Sequence, residues 1–242
     1  MVNKWRLILD EPLPGLVNMQ RDLKILEEVA AGEALPTLRL YRWAPPALSI
    51  GRFQDPSKIA DLAACRRLGI DLVRRPTGGR ALLHDQELTY SLAVPDCREI
   101  IPAGITPSYR FISRALLLAL STLRVDAELS PEITGSTNLL PGSCFDTPSA
   151  YELRVQGKKV VGSAQLRRGG GLLQHGSILL TQPLNAYRQI LRFQEGCNRD
   201  AYLESLRQKS AGLLDLGYRI SIDELSDALT AGFADIFNVE WE

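Results

Sequence analysis

Histidine is scarce in this chain of 242 residues: only His84 and His175 are present, which excludes a histidine-rich metal site. Cysteine is sparse as well, and Cys65, Cys97, Cys144 and Cys197 form no CxxC pair. With no signal-peptide pattern ahead of them, they read as free thiols in a reducing cytoplasm. No apolar run is longer than residues 115–120, far short of the roughly 20 residues a membrane-spanning helix needs. Nor is there a surplus of either charge. Lys+Arg 28 balance Asp+Glu 28, whereas a dedicated nucleic-acid binder needs excess positive charge to neutralise phosphates. The chain has no internal repeat, low-complexity tract or long linker.

What is present is the composition of an ordinary globular protein, 45% hydrophobic and 23% charged, long enough to bury a substantial core without disulfides or metal. Residues 5–9 read as a strand. A helix follows with Asn18 as N-cap and Met19, Leu23, Leu26 and Ala30 at helical spacing up to Gly32. Residues 38–43 and 47–53 are strand-like, 56–68 helical, with Cys65 a packing residue, and 70–75 strand-like. Residues 87–94 form another strand, ended by Pro95. Residues 107–124 read as a helix, 125–129 as a short strand and 130–143 as a turn-rich loop. Residues 151–155 and 158–165 form a hairpin joined at Gln156-Gly157, which sets Lys159 opposite Arg154. Residues 167–171 read as a flexible link and 172–180 as a strand. From Asn185 the pattern is helical, with a capping box at Ser221-Ile222-Asp223-Glu224 and an apolar stripe from Leu225 to Phe237. Strands in adjacent hairpins favour one α+β domain spanning 1–242, with a central mixed, largely antiparallel sheet flanked by helices and residues 183–242 packing on it.

Chemistry concentrates in two stretches. Cys144 follows the Pro141-Gly142 turn signal and sits on a loop ahead of a strand, where reactive residues tend to lie. A free thiol with a pKa near ~8.5 is only slightly ionised at neutral pH, and lowering it by about 1.5 units takes roughly 2 kcal/mol. One ammonium at ~4 Å supplies up to roughly 4 kcal/mol at an effective dielectric of about 20. A lysine such as Lys159 therefore suffices to activate a cysteine without histidine, provided the chain reverses near Asp146-Thr147-Pro148 to bring them together.

The second stretch is Thr77-Gly78-Gly79-Arg80. Read blandly, it is a hairpin turn. Read functionally, it is a backbone that a phosphate or acyl group can approach closely, with Arg75 and His84 beside it. Arg66, Arg67, Arg74, Arg75 and Arg80 fall close together in sequence, and Arg167-Arg168 can add to them to meet an acidic protein or a phosphate. His175, in Gln174-His175-Gly176-Ser177, reads on its own as a satisfied core histidine.

Taken together, RRPTGGRALLHDQELTYS, CFDTPSAYELRVQGKKVVGSAQ and LLQHGSILL resemble the biotin/lipoate A/B protein ligase superfamily, and within it the cysteine-dependent octanoyl-[acyl-carrier-protein]:protein N-octanoyltransferases. The resemblance implies a mixed sheet with a substrate tunnel at one edge. It implies a cytoplasmic acyltransferase in which Cys144 takes octanoyl from acyl carrier protein as a thioester and passes it to a lysine of a glycine cleavage H protein or a lipoyl domain of a 2-oxoacid dehydrogenase. Lipoyl synthase would act downstream, and no cofactor or metal is implied because a thioester is already activated. By the same match Lys159 would lower the Cys144 pKa. Arg75, Thr77, Gly78, Gly79 and His84 would line one side of the substrate, with Gly162, Ser163, Ala164, His175 and Gly176 opposite. Two other readings share most of these motifs: an octanoyl amidotransferase between lipoyl-type domains, and an ATP-dependent lipoate–protein ligase, which typically carries a third glycine where this chain has Arg80. A carrier-binding module that keeps the fold without the chemistry is a third.

Overall fold

The computed structural model describes residues 3–130, 152–193 and 198–242. Cys144, Cys197, most of the expected loop 130–143 and the first residue of the expected strand 151–155 lie outside them. In chain order the described elements are β1 (Asn3–Leu9), α1 (Gly15–Ala30), β2 (Thr37–Tyr41), β3 (Ala47–Ile50), α2 (Pro56–Ile59), α3 (Leu62–Arg67), β4 (Asp71–Arg74), β5 (Leu82–His84), β6 (Glu87–Pro95), α4 (Ile105–Thr122), β7 (Ala127–Leu129), β8 (Leu153–Val155), β9 (Lys158–Lys159), β10 (Val161–Arg168), β11 (Gly171–Leu179), α5 (Leu184–Ile190), α6 (Arg199–Lys209), α7 (Ile222–Phe237) and β12 (Val239–Trp241).

The two-residue alternation of the strands sorts side chains onto opposite faces of a six-stranded sheet, ordered β10-β11-β6-β2-β1-β12. β10, β11, β6 and β2 are antiparallel in succession, and β1 runs parallel to both β2 and β12. The sheet is therefore mixed and largely antiparallel, as expected. Leu92 and Leu172 face α4 and α7, meeting Ile112, Leu116, Leu229 and Phe233 in the main core. Their neighbours Ala93 and Leu173 face the other way, against Ile25, Leu26 and Val29 of α1. Full burial of each such aliphatic or aromatic side chain contributes about 1.5–3 kcal/mol, which fixes the helices over the sheet. The expected stripe on α7 is buried through Phe233, and its capping box forms, with Ser221 Oγ accepting from the Glu224 amide at 3.2 Å.

Two three-stranded sheets stand apart from the large one. In β4-β3-β5, β3 runs parallel to β4 and antiparallel to β5. In β7-β8-β9, Lys159 lies opposite Arg154 as the hairpin reading requires, and Gln156 and Gly157 both take positive φ, 51° and 75°, the geometry of a type I′ turn. The expected single strand 158–165 is split at Val160. Its amide donates to Leu153 O at 3.1 Å in the small sheet, and its carbonyl accepts from Leu179 N at 3.0 Å in the large one. One residue thus carries the chain from one sheet to the other.

Several expectations are corrected. Helix α1 begins at Gly15, so Asn18 is not its cap; the residue is buried, and its amide donates to Leu13 O and Arg42 O. The single helix expected over 56–68 is two, because Asp55 and Asp61 each accept amide bonds as separate N-caps. Residues 167–171 are no link: β10 runs through Arg168 and turns at Gly169-Gly170 directly into β11. The C-terminal region is not helical to its end, since Asn238 closes α7 in a left-handed conformation and β12 then joins the sheet beside β1. No helix among the described residues is long and apolar enough to cross a membrane.

Candidate functional site

The segment Thr77-Gly78-Gly79-Arg80 is not a hairpin turn. Strands β4 and β5 flank β3 on opposite sides, so the connection must cross the end of β3. It does so at close range: a Cβ at Gly51 would lie 2.0 Å from Gly79 O, and only a glycine admits that approach. Arg75 is buried beneath the crossing. It donates to Ser49 O (3.1 Å), Ser49 Oγ (2.9 Å), Gly78 O (3.0 Å) and Arg80 O (2.5 Å), which pins the glycine loop against β3.

Between this small sheet and the α1 side of the large sheet is a cavity that opens to solvent, with about 420 Å³ of space between its walls and mouth. Met19, Tyr41, Trp43 and Leu82 give it apolar walls; Gly162, Ser163, Ala164 and Gly176, from the paired strands β10 and β11, form its glycine-rich floor. A Cβ at Gly176 would come within 2.4 Å of Ser163 Oγ and 2.8 Å of both Gly162 O and Tyr90 Cε1. Ser163 is in turn held by Tyr90, Oγ to Oη 2.8 Å. Burial pushes the Tyr90 hydroxyl up to about 12, so it remains a neutral hydrogen-bonding group.

Two buried histidines, one on each side of the cavity, are each held at both ring nitrogens. His175 lies between Asp22 (Nδ1 to Oδ2 3.0 Å) and Thr77 (Nε2 to Oγ1 2.8 Å). Asp22 is fully buried and also accepts from Arg39 (2.7 Å) and Tyr41 Oη (2.9 Å). Burial opposes its ionisation, but hydrogen bonding and attraction from His175 and Arg39 outweigh that and hold its carboxyl below the ordinary range. An ionised Asp22 only accepts, so it fixes the proton on His175 Nδ1, and in the neutral ring Nε2 then accepts from Thr77. Burial and the Asp22 charge likewise drive the Tyr41 hydroxyl well above its usual value. Arg39 bridges onward to Asp10 (2.7 Å) and Asn18 Oδ1 (2.6 Å).

His84 stacks on Trp43, centroids 3.9 Å apart. Its Nε2 meets Ser49 Oγ at 2.8 Å, and its Nδ1 meets Ser177 Oγ at 3.1 Å with Glu87 Oε1 at 3.5 Å. Burial lowers the His84 pKa despite Glu87 nearby. Ser49 Oγ accepts from Arg75 and lies 3.5 Å from Leu82 O, and its hydroxyl can meet His84 Nε2 as donor or acceptor according to the ring tautomer.

The structure thus gathers Arg75, Gly79, His84, Gly162, Ser163, Ala164, His175 and Gly176 around one cavity, with Thr77 bonded to His175 and Gly78 bonded to Arg75. Lys159 is not among the residues lining it. It is buried in the β7-β8-β9 sheet with Nζ 2.5 Å from Glu152 Oε1, while Arg154 stands 4.0 Å from Glu152 Oε2. Cys144 is outside the described residues.

Sequence reasoning missed Asp22, Arg39, Tyr41, Trp43, Ser49 and Glu152. A signal existed for two of them: Asn18 and Asp22 are polar residues four apart on the otherwise apolar buried face of α1, and polar groups in such positions require partners. Arg39, between Leu38 and Leu40, pointed the same way.

The family model for the lipoyl protein ligase A/B catalytic domain matches residues 14–234. A relative from Kyrpidia tusciae named octanoyltransferase LipM is 42% identical over 98% of this chain and 89% of its own. One of the same name from Symbiobacterium thermophilum is 44% identical over 97% and 86% respectively. Among solved structures, the bipartite lipoate protein ligase of a Thermoplasma acidophilum lipoylation system superimposes with a TM-score of 0.79, at 26% identity over 99% of this chain and 86% of its own. A lipoate–protein ligase A bound with ATP gives 0.75, also at 26% identity, over 99% and 87%.

Proposed function

The chain belongs to the lipoyl protein ligase A/B catalytic domain family, and from that premise we propose that it is an octanoyltransferase of lipoate assembly that works through a cysteine acyl-enzyme. The observation that carries this reading is identity of 42% and 44%, over nearly the full chain, to relatives named octanoyltransferase. In the proposed reaction the Cys144 thiolate attacks the octanoyl thioester of acyl carrier protein and the carrier thiol leaves with a proton. The ε-amine of a lysine on an H protein or lipoyl domain then attacks the acyl-cysteine, forming an amide and returning the thiol. Lys159, kept in place by Glu152, is the cation that favours the thiolate.

The cavity supports the acyl half of this chemistry. An octanoyl chain brings six methylenes, each worth about 0.8 kcal/mol on leaving water, so apolar walls at Met19, Tyr41, Trp43 and Leu82 offer roughly 5 kcal/mol for holding the chain. The glycine floor lets the chain lie against backbone, and His84 and the Asp22-held His175, each bonded at both ring nitrogens, brace the cavity walls. The whole chain acts as one catalytic domain in the cytoplasm, and its octanoylated product is the substrate for a sulfur-inserting enzyme.

The test is intact-mass spectrometry of the protein mixed with octanoyl-acyl carrier protein without ATP, beside a Cys144→Ala variant. The reading requires an octanoyl adduct on the wild type, removable by hydroxylamine and missing from the variant. The likeness to a ligase bound with ATP favours one rival. If no adduct forms but octanoate with ATP yields a bound acyl-adenylate in both proteins, the chain is a ligase instead.

A further inference from the structure

Next to the acyl cavity is a second concavity of about 1060 Å³, and five of its eight lining residues are arginines: Arg52, Arg74, Arg75, Arg167 and Arg168. No carboxylate lines it among the described residues. The adjoining acids account for two of the five cations, Asp96 pairing with Arg167 and Glu27 lying 3.7 Å from Arg168. Arg74 is locked by three carbonyls, Gly51 O (3.2 Å), Arg52 O (2.8 Å) and Gln54 O (2.7 Å), which fix its position without cancelling its charge. Beside Arg52, whose guanidinium lies 5.6 Å from the ring, Phe53 is 88% exposed. A chain of zero net charge therefore concentrates positive charge in one groove with an uncovered aromatic at its margin. Aromatic and arginine anchors of this kind dominate binding at protein interfaces.

The groove and the acyl cavity share structure. Arg75 lines both. Strand β10 lines the cavity with Gly162 to Ala164 and the groove with Leu166 to Arg168. That separation of two to six residues is roughly 7–20 Å along a strand, a span that a long thioester arm crosses.

Resting on the octanoyl-transfer reading, we propose that this arginine groove is the docking surface for the donor: an acidic carrier protein whose acyl-thioester arm is attached through a phosphodiester. The carrier's anionic surface and phosphate meet Arg52, Arg74 and Arg168 while the acyl end enters the cavity past Arg75. The acceptor lysine itself is a cation and carries no phosphate.

The experiment compares two donors on the full chain: octanoyl-acyl carrier protein, and octanoyl-N-acetylcysteamine, which has the same thioester but neither phosphate nor protein. Arg52→Glu and Arg168→Glu are exposed changes outside the acyl cavity. Each lowers kcat/KM for acylation by the carrier roughly tenfold, the low end of electrostatic steering, with the wild-type advantage shrinking as salt rises. Acylation by the small thioester stays within about twofold of wild type, which also shows that the variants are folded. The proposal is overturned if both donors slow equally, if neither slows, or if acylation is normal and only transfer to the acceptor fails, since the groove would then serve the acceptor. Wild type that accepts octanoyl from neither donor removes the transferase reading itself. Wild type that accepts it from both, with unaffected variants, removes only the groove.

Discussion

Asp22→Asn probes the buried ion network that positions His175. Asp22 has no exposure and accepts from Arg39, Tyr41 and His175 at 2.7, 2.9 and 3.0 Å. An asparagine is nearly isosteric, yet it removes the negative charge and presents an NH2 to neighbours that are themselves donors. Arg39, also fully buried, keeps Asp10 as its anionic partner. Breaking one side of a buried pair costs about 3–5 kcal/mol, and for a chain of this size each kcal/mol is roughly 2–4 °C of melting temperature. The expected fall at pH 7 is therefore roughly 6–20 °C, read by thermal melts and checked by urea midpoints. The sign with pH follows from the depressed pKa of Asp22: the contribution is complete above the unfolded value of 3.8 and is lost as pH falls through the folded one, so the gap between wild type and variant narrows in acid. A loss below about 0.5 kcal/mol, the size of an ordinary surface change, would show that the network is not holding the cavity wall together.

Two other variants test the site. Because burial depresses the His84 pKa, the unfolded chain takes up its proton first as pH falls below 6.5, and stability present above that value declines at up to about 1.4 kcal/mol per pH unit; urea titrations of His84→Gln should lose this part of the slope, and an unchanged slope would count against a neutral His84. In Gly176→Ala the new methyl meets Ser163 Oγ, Gly162 O and the Tyr90 ring at 2.4–2.8 Å, costing about 1–3 kcal/mol and slowing octanoylation. Adding Ser163→Gly relieves the nearest of these contacts and should restore part of the loss in a thermal melt; a single variant that melts like wild type contradicts the close-packed floor.

The parts of the molecule legible in the sequence are those whose cause is local. Gln156-Gly157 announced its hairpin because a type I′ turn demands positive φ at both positions, and Ser221 to Glu224 announced a helix start because the capping box is written in four residues. The break at Ala60 has an equally local cause, since Asp61 ahead of Leu62-Ala63 is a second cap. Other features have no local cause. Nothing in Lys158-Lys159-Val160-Val161 marks a change of sheet, because the alternation of an extended chain continues unbroken through it. Strand β12, only three residues long, exists because β1 offers it an edge. At the site, His84, His175 and the glycine blocks stood out as residue types with chemical uses. The pairing of Arg39 with Asp22, residues 17 apart on a strand and a helix, is decided by packing and could not be read from spacing.

Val160 has a consequence that reaches beyond this chain. Lys159 is anchored in one sheet and the glycine floor begins in another, so the proposed activating cation and the proposed acyl site are separate along the strand and joined at a single, fully buried residue. The cavity is lined from β10, β11 and α1, and the hairpin that carries the lysine is not among its lining elements, so a change in the depth or width of the cavity need not move the lysine. That division of labour is a physical route by which one fold serves both proteins named lipoate protein ligase and proteins named octanoyltransferase.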